Sequence, residues 1–229
     1  RSIAAEFDVW NIDYRKNFLA NETTGVVVVL VDKSGERTMF PDSGANSGLS
    51  ERDLPPLDGF DAAFLSGYSL FNPLSTDGVV RMMRSIREKG IPLFFDPASV
   101  GTMKAFGRER VLQYLPLMDF VIMNDAEARF ISGQEDLSKA LESLTALVPT
   151  VVIKTGSSGA IAQIRNNKSV NCPVDEIEPL DTTGAGDAFA AGFIPTWLKS
   201  GVTALPVMEF LVASFMPFSK VLACRVGSI

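Results

Sequence analysis

The segment DTTGAGDAFAAGF, at residues 181–193, places two glycines and an aspartate where a helix should begin. Glycine disfavours a helix by about 1 kcal/mol relative to alanine, so Gly184 and Gly186 indicate that something approaches the backbone closely. Exposed backbone N–H groups at a helix N-terminus, together with the positive end of the helix dipole, bind anions such as phosphate. The segment therefore predicts a phosphate-binding turn in front of an α-helix.

Asp187 distinguishes this turn from other phosphate-binding loops. The chain has no Gly-Lys-Ser/Thr sequence, and no glycine follows Gly186 after two intervening residues as in a dinucleotide-binding fingerprint. A carboxylate beside phosphate-binding amides can accept the proton of a substrate hydroxyl during phosphoryl transfer. The alternative is that Asp187 only stabilises the helix dipole, because acidic residues favour first turns in general.

Between residues 61 and 174, short apolar segments alternate with amphipathic helical patterns. This alternation predicts an α/β fold with a mostly parallel sheet covered by helices on both faces. Ligands of such sheets bind at the carboxyl ends of the strands, so polar residues there predict a site. Four of the apolar segments have small or polar endings, which are Ser66-Gly67, Asp96, Asn124 and Lys154-Thr155-Gly156.

Turn and cap signals predict the limits of several other elements. Two strand-like runs, TTGVVVVLVD and ERTMF, flank KSG and predict an early β-ribbon. Ser75 and Gly90 enclose a predicted helix, and Gly133 ends another. A hairpin is expected around Asn166-Asn167, and a last helix is expected over residues 207–215.

Asn124 and Glu127 stand one helical turn apart directly after a predicted strand. Their oxygens can hold Mg²⁺ through water beside substrate phosphates. The alternative is a capping box, in which the two residues satisfy the backbone at a helix start. Lys154 precedes a glycine turn and can meet a nucleotide phosphate as a point charge, or it is a solvated lysine at a strand edge.

Composition excludes several classes of function. The chain has 229 residues, no histidine and a net charge of −6, which argues against His-based triads, His-ligated zinc and a nucleic-acid partner. Cys172 and Cys224 have no CxxC neighbour, so a reducing cytoplasm is expected. No apolar run approaches the roughly 18 residues of a membrane span.

The segment at 181–193 resembles the C-terminal signature of the ribokinase/PfkB family of carbohydrate kinases. TGVVVVLVDKSGERTMF and GANSGLS resemble that family's lid and its return, and FFDPAS, NDAEARFISG and VVIKTGSSGA follow in the family's order. The resemblance spans essentially the whole chain. It implies a ribokinase-like, three-layer α/β/α Rossmann-like domain with a mostly parallel central sheet and a small β-ribbon lid.

The resemblance also implies roles for single residues. Asp187 is the expected base, and the amides of Gly184, Ala185 and Gly186 form the expected anion hole. Asn124 and Glu127 match an NxxE element that orders Mg²⁺ and nucleotide phosphate through water. Other matches are the nucleotide-binding turn of Lys154, Gly156 and Gly159, and a monovalent cation site, for K⁺, at Asp181 and Thr183.

The same resemblance divides the chain into three parts. Residues 1–22 are expected to be the remnant of an N-terminal α/β region, 23–50 the lid and its return, and 51–229 the nucleotide-binding and catalytic domain. The family's N-terminal strand, with its substrate-binding aspartate, and a later glycine pair have no counterpart in the sequence. This departure puts the activity of the chain itself in question. Phe215 and Pro217 also make the C-terminal region bulkier than in many members.

These features predict an ATP- and Mg²⁺-dependent kinase that phosphorylates a hydroxymethyl group of a sugar or nucleoside. A second interpretation is a non-catalytic sugar or nucleotide sensor on the same fold. The intact turn around Asp187 argues against the sensor, and the absent N-terminal strand argues for it. A Rossmann dehydrogenase lacks its expected glycine fingerprint. The expected partners are a small-molecule substrate and, through the lid's strand edges, a second copy in a homodimer.

Overall fold

A computed structural model describes residues 3–14, 19, 21–33, 37–174 and 184–200. Asp181, Thr183 and the predicted helix over 207–215 lie outside the described residues. Within the described ranges, no helix is long and apolar enough to cross a lipid bilayer.

The N-terminal part contains a short helix and the predicted ribbon. Helix α1 (Ile3–Val9) buries none of its side chains. Strands β1 (Thr24–Val31) and β2 (Arg37–Gly44) form a two-stranded antiparallel sheet, in which Val28 pairs with Phe40. Apolar side chains on both faces of the ribbon are exposed, among them Val26, Val27, Val28, Val29 and Leu30. Two 3₁₀ turns, Ala45–Gly48 and Glu51–Asp53, then lead to the main sheet.

Among the residues that the structure describes, the main sheet has six strands in the order β3-β4-β5-β6-β7-β8. The first four run parallel, and they are β3 (Ala63–Ser66), β4 (Leu93–Asp96), β5 (Phe120–Asn124) and β6 (Thr150–Lys154). The antiparallel hairpin β7 (Ala160–Ile164) and β8 (Val170–Cys172) extends the sheet beyond β6. The mostly parallel sheet and the hairpin are therefore confirmed.

Seven helices of the described ranges connect or cover these strands. They are α2 (Gly67–Leu70), α3 (Thr76–Glu88), α4 (Val100–Phe106), α5 (Arg108–Tyr114), α6 (Asp125–Ser132), α7 (Leu137–Thr145) and α8 (Ala185–Ser200). Ser75 stands at the N-cap of α3 as predicted, but its hydroxyl donates to the carbonyl of Ser69, at 2.8 Å, rather than capping the helix. Gly133 ends α6 in the left-handed conformation, with φ 71°.

Alternate side chains of each central strand enter two separate cores. Leu93 and Phe95 of β4 pack with the helices α3–α7, whereas Phe94 of the same strand packs with α8. The layers are therefore helix, sheet and helix, which confirms the predicted three-layer architecture. Burial on both faces also explains why the parallel strands read as continuous apolar runs.

Helix α8 lies antiparallel to the strands, and this direction positions the site. Phe189, Phe193 and Trp197 are spaced by four residues and therefore share one face of the helix. Trp197 packs on Phe120 at the start of β5, with ring centroids 4.6 Å apart. Gly186, at the other end of α8, lies beside Lys154 at the end of β6. The N-terminus of α8 is thus held at the carboxyl edge of the sheet.

Candidate active site

The four polar strand endings meet at one edge of the sheet, as the sequence predicts. Ser66 pairs in register with Asp96 across β3 and β4, and Asn124 pairs with Lys154 across β5 and β6. Because these strands are adjacent and parallel, their carboxyl ends lie side by side, where α/β sheets bind ligands.

The first turn of α8 has the geometry of an anion-binding helix start. Gly184 has a φ of 74°, which favours glycine, and its carbonyl accepts the N–H of Ala188 at 2.9 Å. Gly184 is therefore the N-cap, and the N–H groups of residues 184–187 have no acceptor within the helix itself. Asp187 is exposed in this turn, so a carboxylate stands beside amides that point toward an incoming anion.

The ammonium group of Lys154 lies against this turn. The Nζ atom of Lys154 donates to Oδ2 of Asp96 at 3.2 Å, and both side chains are largely buried. A methyl group added at Gly186 would lie 3.2 Å from that Nζ atom and 3.8 Å from Asp96 Oδ2. Lys154 is therefore not a solvated strand-edge residue, because it is paired and packed next to the backbone of α8.

Asn124 and Glu127 form a reciprocal capping box at the start of α6. Asn124 Oδ1 accepts the N–H of Glu127, and Glu127 Oε2 accepts the N–H of Asn124, each at 2.8 Å. Glu127 is only 3% exposed. Burial raises the pKa of its carboxyl, and the Asp96 carboxylate adds to the increase, against the lowering effects of the Asn124 N–H and Lys154.

This capping box bears on the fit of Mg²⁺. The two hydrogen bonds occupy Asn124 Oδ1 and Glu127 Oε2, yet a carboxylate has about four acceptor positions and keeps capacity for water. In the described ranges, no three His, Cys, Asp or Glu side chains surround one point. Asn124 is also exposed to solvent, so the donor set of this capping box fits a cation that is met through water, as Mg²⁺ often is beside phosphates.

The turn after β6 contains the two other predicted glycines. Gly156 has a φ of 61°, and Gly159 has a φ of 97°. A side chain at Gly159 would collide with the carbonyl of Cys172 in β8, whereas one at Gly156 would meet nothing within 4 Å. Gly159 is therefore required by the close approach of β8, and Gly156 by its left-handed backbone.

Two residues of this edge received no role from the sequence. Asp96 was noted only as a strand ending, but it is the charge partner of Lys154. Tyr68, the second residue of α2, is half-exposed, and its pKa is raised by burial and then by the carboxylates of Glu127, Asp96 and Asp187. An aromatic residue next to the Ser66-Gly67 ending was the available signal for Tyr68.

Comparison with known proteins agrees with this geometry. The sequence profile of the pfkB family of carbohydrate kinases matches residues 1–205. The chain belongs to the pfkB carbohydrate kinase family. A fructokinase from Klebsiella pneumoniae is 30% identical over 190 residues, which cover 80% of this chain and 62% of that protein. A ribokinase from Haemophilus influenzae is 28% identical over 191 residues, covering 80% of this chain and 59% of that protein.

This PfkB chain thus spans about three fifths of the length of these curated relatives. A solved fructokinase from Vibrio cholerae, in a form with fructose, ADP and calcium bound, superposes with a TM-score of 0.82. The superposition covers 97% of this chain and 75% of that one at 20% identity, so it shows the fold. The fold is therefore ribokinase-like, as predicted.

Proposed function

We propose that this chain is part of an ATP-dependent phosphotransferase that phosphorylates a hydroxymethyl group of a sugar or a related small molecule. The observation that carries the proposal is the placement of Asp187 in the first turn of α8, directly after Gly186, whose backbone lies against the ammonium of Lys154. Family relatives named fructokinase and ribokinase support a sugar acceptor. The fructokinase structure with ADP supports an adenine nucleotide as the donor.

In the proposed reaction, Asp187 accepts the proton of the acceptor hydroxyl. The hydroxyl oxygen forms a bond to the γ-phosphorus as the bond from that phosphorus to the bridging oxygen of ADP breaks. Proton transfer accompanies formation of the new bond, so Asp187 need not generate a free alkoxide first. The exposure of Asp187 lets an acceptor reach it from solvent.

The charge on the transferring group is met by backbone and side chain together. The amides of Gly184, Ala185 and Gly186 face the phosphoryl oxygens, and Lys154 supplies a positive charge next to them. Preorganised donors of this kind need no rearrangement during the reaction, which is why they stabilise a transition state. Gly156 and Gly159 shape the turn along which the nucleotide binds.

Cations complete the proposed chemistry. Mg²⁺ held through water beside Asn124 and Glu127 would neutralise charge on the donor phosphates. We assign a monovalent cation, K⁺, to the segment that contains Asp181 and Thr183. The donor is ATP from the cytoplasm, where we place the protein.

The β1-β2 ribbon is the proposed lid over the acceptor. Its exposed apolar side chains, on both faces, suit a segment that covers a ligand on one side. Closure would exclude water and limit hydrolysis of ATP. The same strand edges are available to pair two chains in a homodimer, which sedimentation equilibrium over a range of protein concentrations would detect.

The test is ADP release from ATP and Mg²⁺ across ribose, fructose, their phosphates, 2-keto-3-deoxygluconate and several nucleosides. We expect release that depends on one acceptor, and a loss of at least about a hundredfold in Asp187→Ala, the usual contribution of a general base. A loss below about tenfold would remove the proposed role of Asp187.

Asp77→Ala is the matched control, because Asp77 is also an exposed aspartate in the first turn of a helix, α3. Both variants lose the same favourable interaction with a helix dipole. If Asp187 acts only on the dipole, the two variants lose equal stability and neither loses turnover. If ATP binds but no acceptor supports ADP release, the protein is a sensor and not a kinase.

A further inference from the structure

The carboxylate of Asp96 is fixed by two contacts. Its Oδ1 atom accepts the N–H of Ala98 at 2.8 Å, and its Oδ2 atom accepts from Lys154 Nζ at 3.2 Å. The side chain of Asp96 is 13% exposed and that of Lys154 is 17% exposed. Burial of this degree shields an ion pair from screening by solvent, so the pair is more than a surface contact.

The backbone that follows Asp96 is held in an unusual conformation. Ala98 has a φ of 66°, in the left-handed region that residues with a Cβ rarely adopt. Gly67 packs so closely under Pro97 that a side chain there would collide with the carbonyl of Pro97. A strained turn persists only where its surroundings hold it. The Asp96 carboxylate is therefore presented from a rigid support.

Lys154 needs such a support, because its side chain has four rotatable bonds and its ammonium is a point charge without a preferred direction. Glu127 is a second carboxylate close enough to interact electrostatically with Lys154. The contact with Asp96 selects the conformation in which Nζ lies next to the backbone of Gly186. Without that contact, Lys154 is free to turn toward Glu127 or solvent.

We propose that Asp96 is a positioning residue, whose carboxylate holds the Lys154 ammonium at the first turn of α8 before the donor phosphates bind. This inference rests on the proposed function, since it takes the first turn of α8 as the place where the phosphoryl group is transferred. In this role Asp96 needs no contact with the substrate. It acts through Lys154, and the ion pair neutralises the lysine until an anion arrives.

The test is a double-mutant cycle with Asp96→Asn, Lys154→Gln and the double variant, in the full-length protein. Asparagine keeps an oxygen for the N–H of Ala98 and removes the charge that holds Lys154. We expect Asp96→Asn to lower kcat/KM for ATP by about tenfold, which is less than the roughly hundredfold loss that a full 1 Å misplacement can cause, with KM for the acceptor unchanged. In the Lys154→Gln background, Asp96→Asn should cause no further loss.

Asp58→Asn is the matched control, because it breaks the exposed pair of Asp58 with Lys89, at 2.9 Å. It should leave kcat/KM for ATP unchanged. If Asp96 serves only the stability of its turn, Asp96→Asn reduces activity by the same factor with and without Lys154. Additive losses of this kind overturn the inference and leave the proposed kinase function intact.

A binding measurement separates the two proposals. If the wild-type protein transfers phosphate to no acceptor, the proposed function fails, and the cycle is repeated with the dissociation constant of ATP measured by equilibrium dialysis. Weaker binding in Asp96→Asn that disappears in the Lys154→Gln background supports the positioning role. Additive effects on that constant, or no effect of Asp96→Asn, overturn it.

Discussion

Replacing Gly186 with alanine should separate the stability of α8 from its chemistry. Gly186 has no positive φ, unlike Gly184, so alanine fits its backbone without strain. The new methyl group would lie 3.2 Å from Lys154 Nζ, the mobile end of a long side chain that has to move by a few tenths of an ångström. Alanine gains up to about 1 kcal/mol over glycine in a helix.

The gain in helix propensity and the cost of displacing Lys154 nearly cancel in the free energy of unfolding, but the displacement still affects activity. We expect the melting temperature of Gly186→Ala to stay within about 4 °C of the wild type, which corresponds to about 1 kcal/mol in a chain of this size. The displaced ammonium and the crowded amides should lower kcat/KM for ATP by about ten- to a hundredfold. Coupled ADP-release kinetics and thermal unfolding of the same preparations measure both quantities.

Gly101→Ala is the control, since Gly101 is likewise the second residue of a helix, α4, and its added methyl group would meet only Ser99 Oγ, at 3.4 Å. It should keep both stability and activity. The reasoning is refuted if Gly186→Ala retains activity within about threefold, because Lys154 and the amides would then not face the reacting phosphate. A melting temperature lower by about 10 °C would instead make Gly186 a structural glycine.

Three further changes test the surroundings of the site. Gly159→Ala should lower the free energy of unfolding, measured in urea, by about 2 kcal/mol or more, because Gly159 has a φ of 97° and the added methyl group would collide with β8. Phe193→Ala should lower the free energy of unfolding by about 3–5 kcal/mol, because this fully buried ring stacks on Phe189. Equal urea midpoints for the variant and the wild type would contradict this packing. Glu127 has a raised pKa, so the folded state holds its proton longer, and its contribution to stability falls as pH rises from the ordinary glutamate pKa to the raised one. The free energy of unfolding of Glu127→Gln in urea should therefore rise relative to that of the wild type as pH increases above the ordinary glutamate pKa, and a difference that stays constant with pH would contradict the raised pKa.

The parallel strands could be predicted because each apolar run stops at a polar or small residue. Buried strands of α/β sheets have this pattern. The helices between two strands also have recognisable capping residues: Gly133 ends α6, and Asp136 is the N-cap of α7. Helices α4 and α5 were missed for a physical reason. Each has seven residues, and Gly107, with a φ of 100°, separates them. Seven residues are too few for the spacing of apolar residues to show a helical period.

The pairing of Lys154 with Asp96 could not be predicted from either residue. They are 58 positions apart, and they stand on strands that are separated in the sheet by β5. Only the strand order brings β4 and β6 to either side of Asn124, and local sequence patterns do not encode strand order. The sequence therefore predicted which residues end the strands but not which of those residues touch.

The charges that meet at this edge explain why a cation is expected in the proposed reaction. Lys154 pairs with Asp96 and interacts electrostatically with Glu127, and the carboxylates of Glu127, Asp96 and Asp187 all act on Tyr68, so the three acids lie near one ring. An ATP phosphate chain would add further negative charge to a place that is already acidic. The amides of α8 provide only about half a positive charge, and Lys154 is neutralised by Asp96 in the resting protein. In the proposed reaction we therefore expect metal ions to offset the remaining repulsion, and Asn124 and Glu127 are the residues proposed to meet such an ion through water.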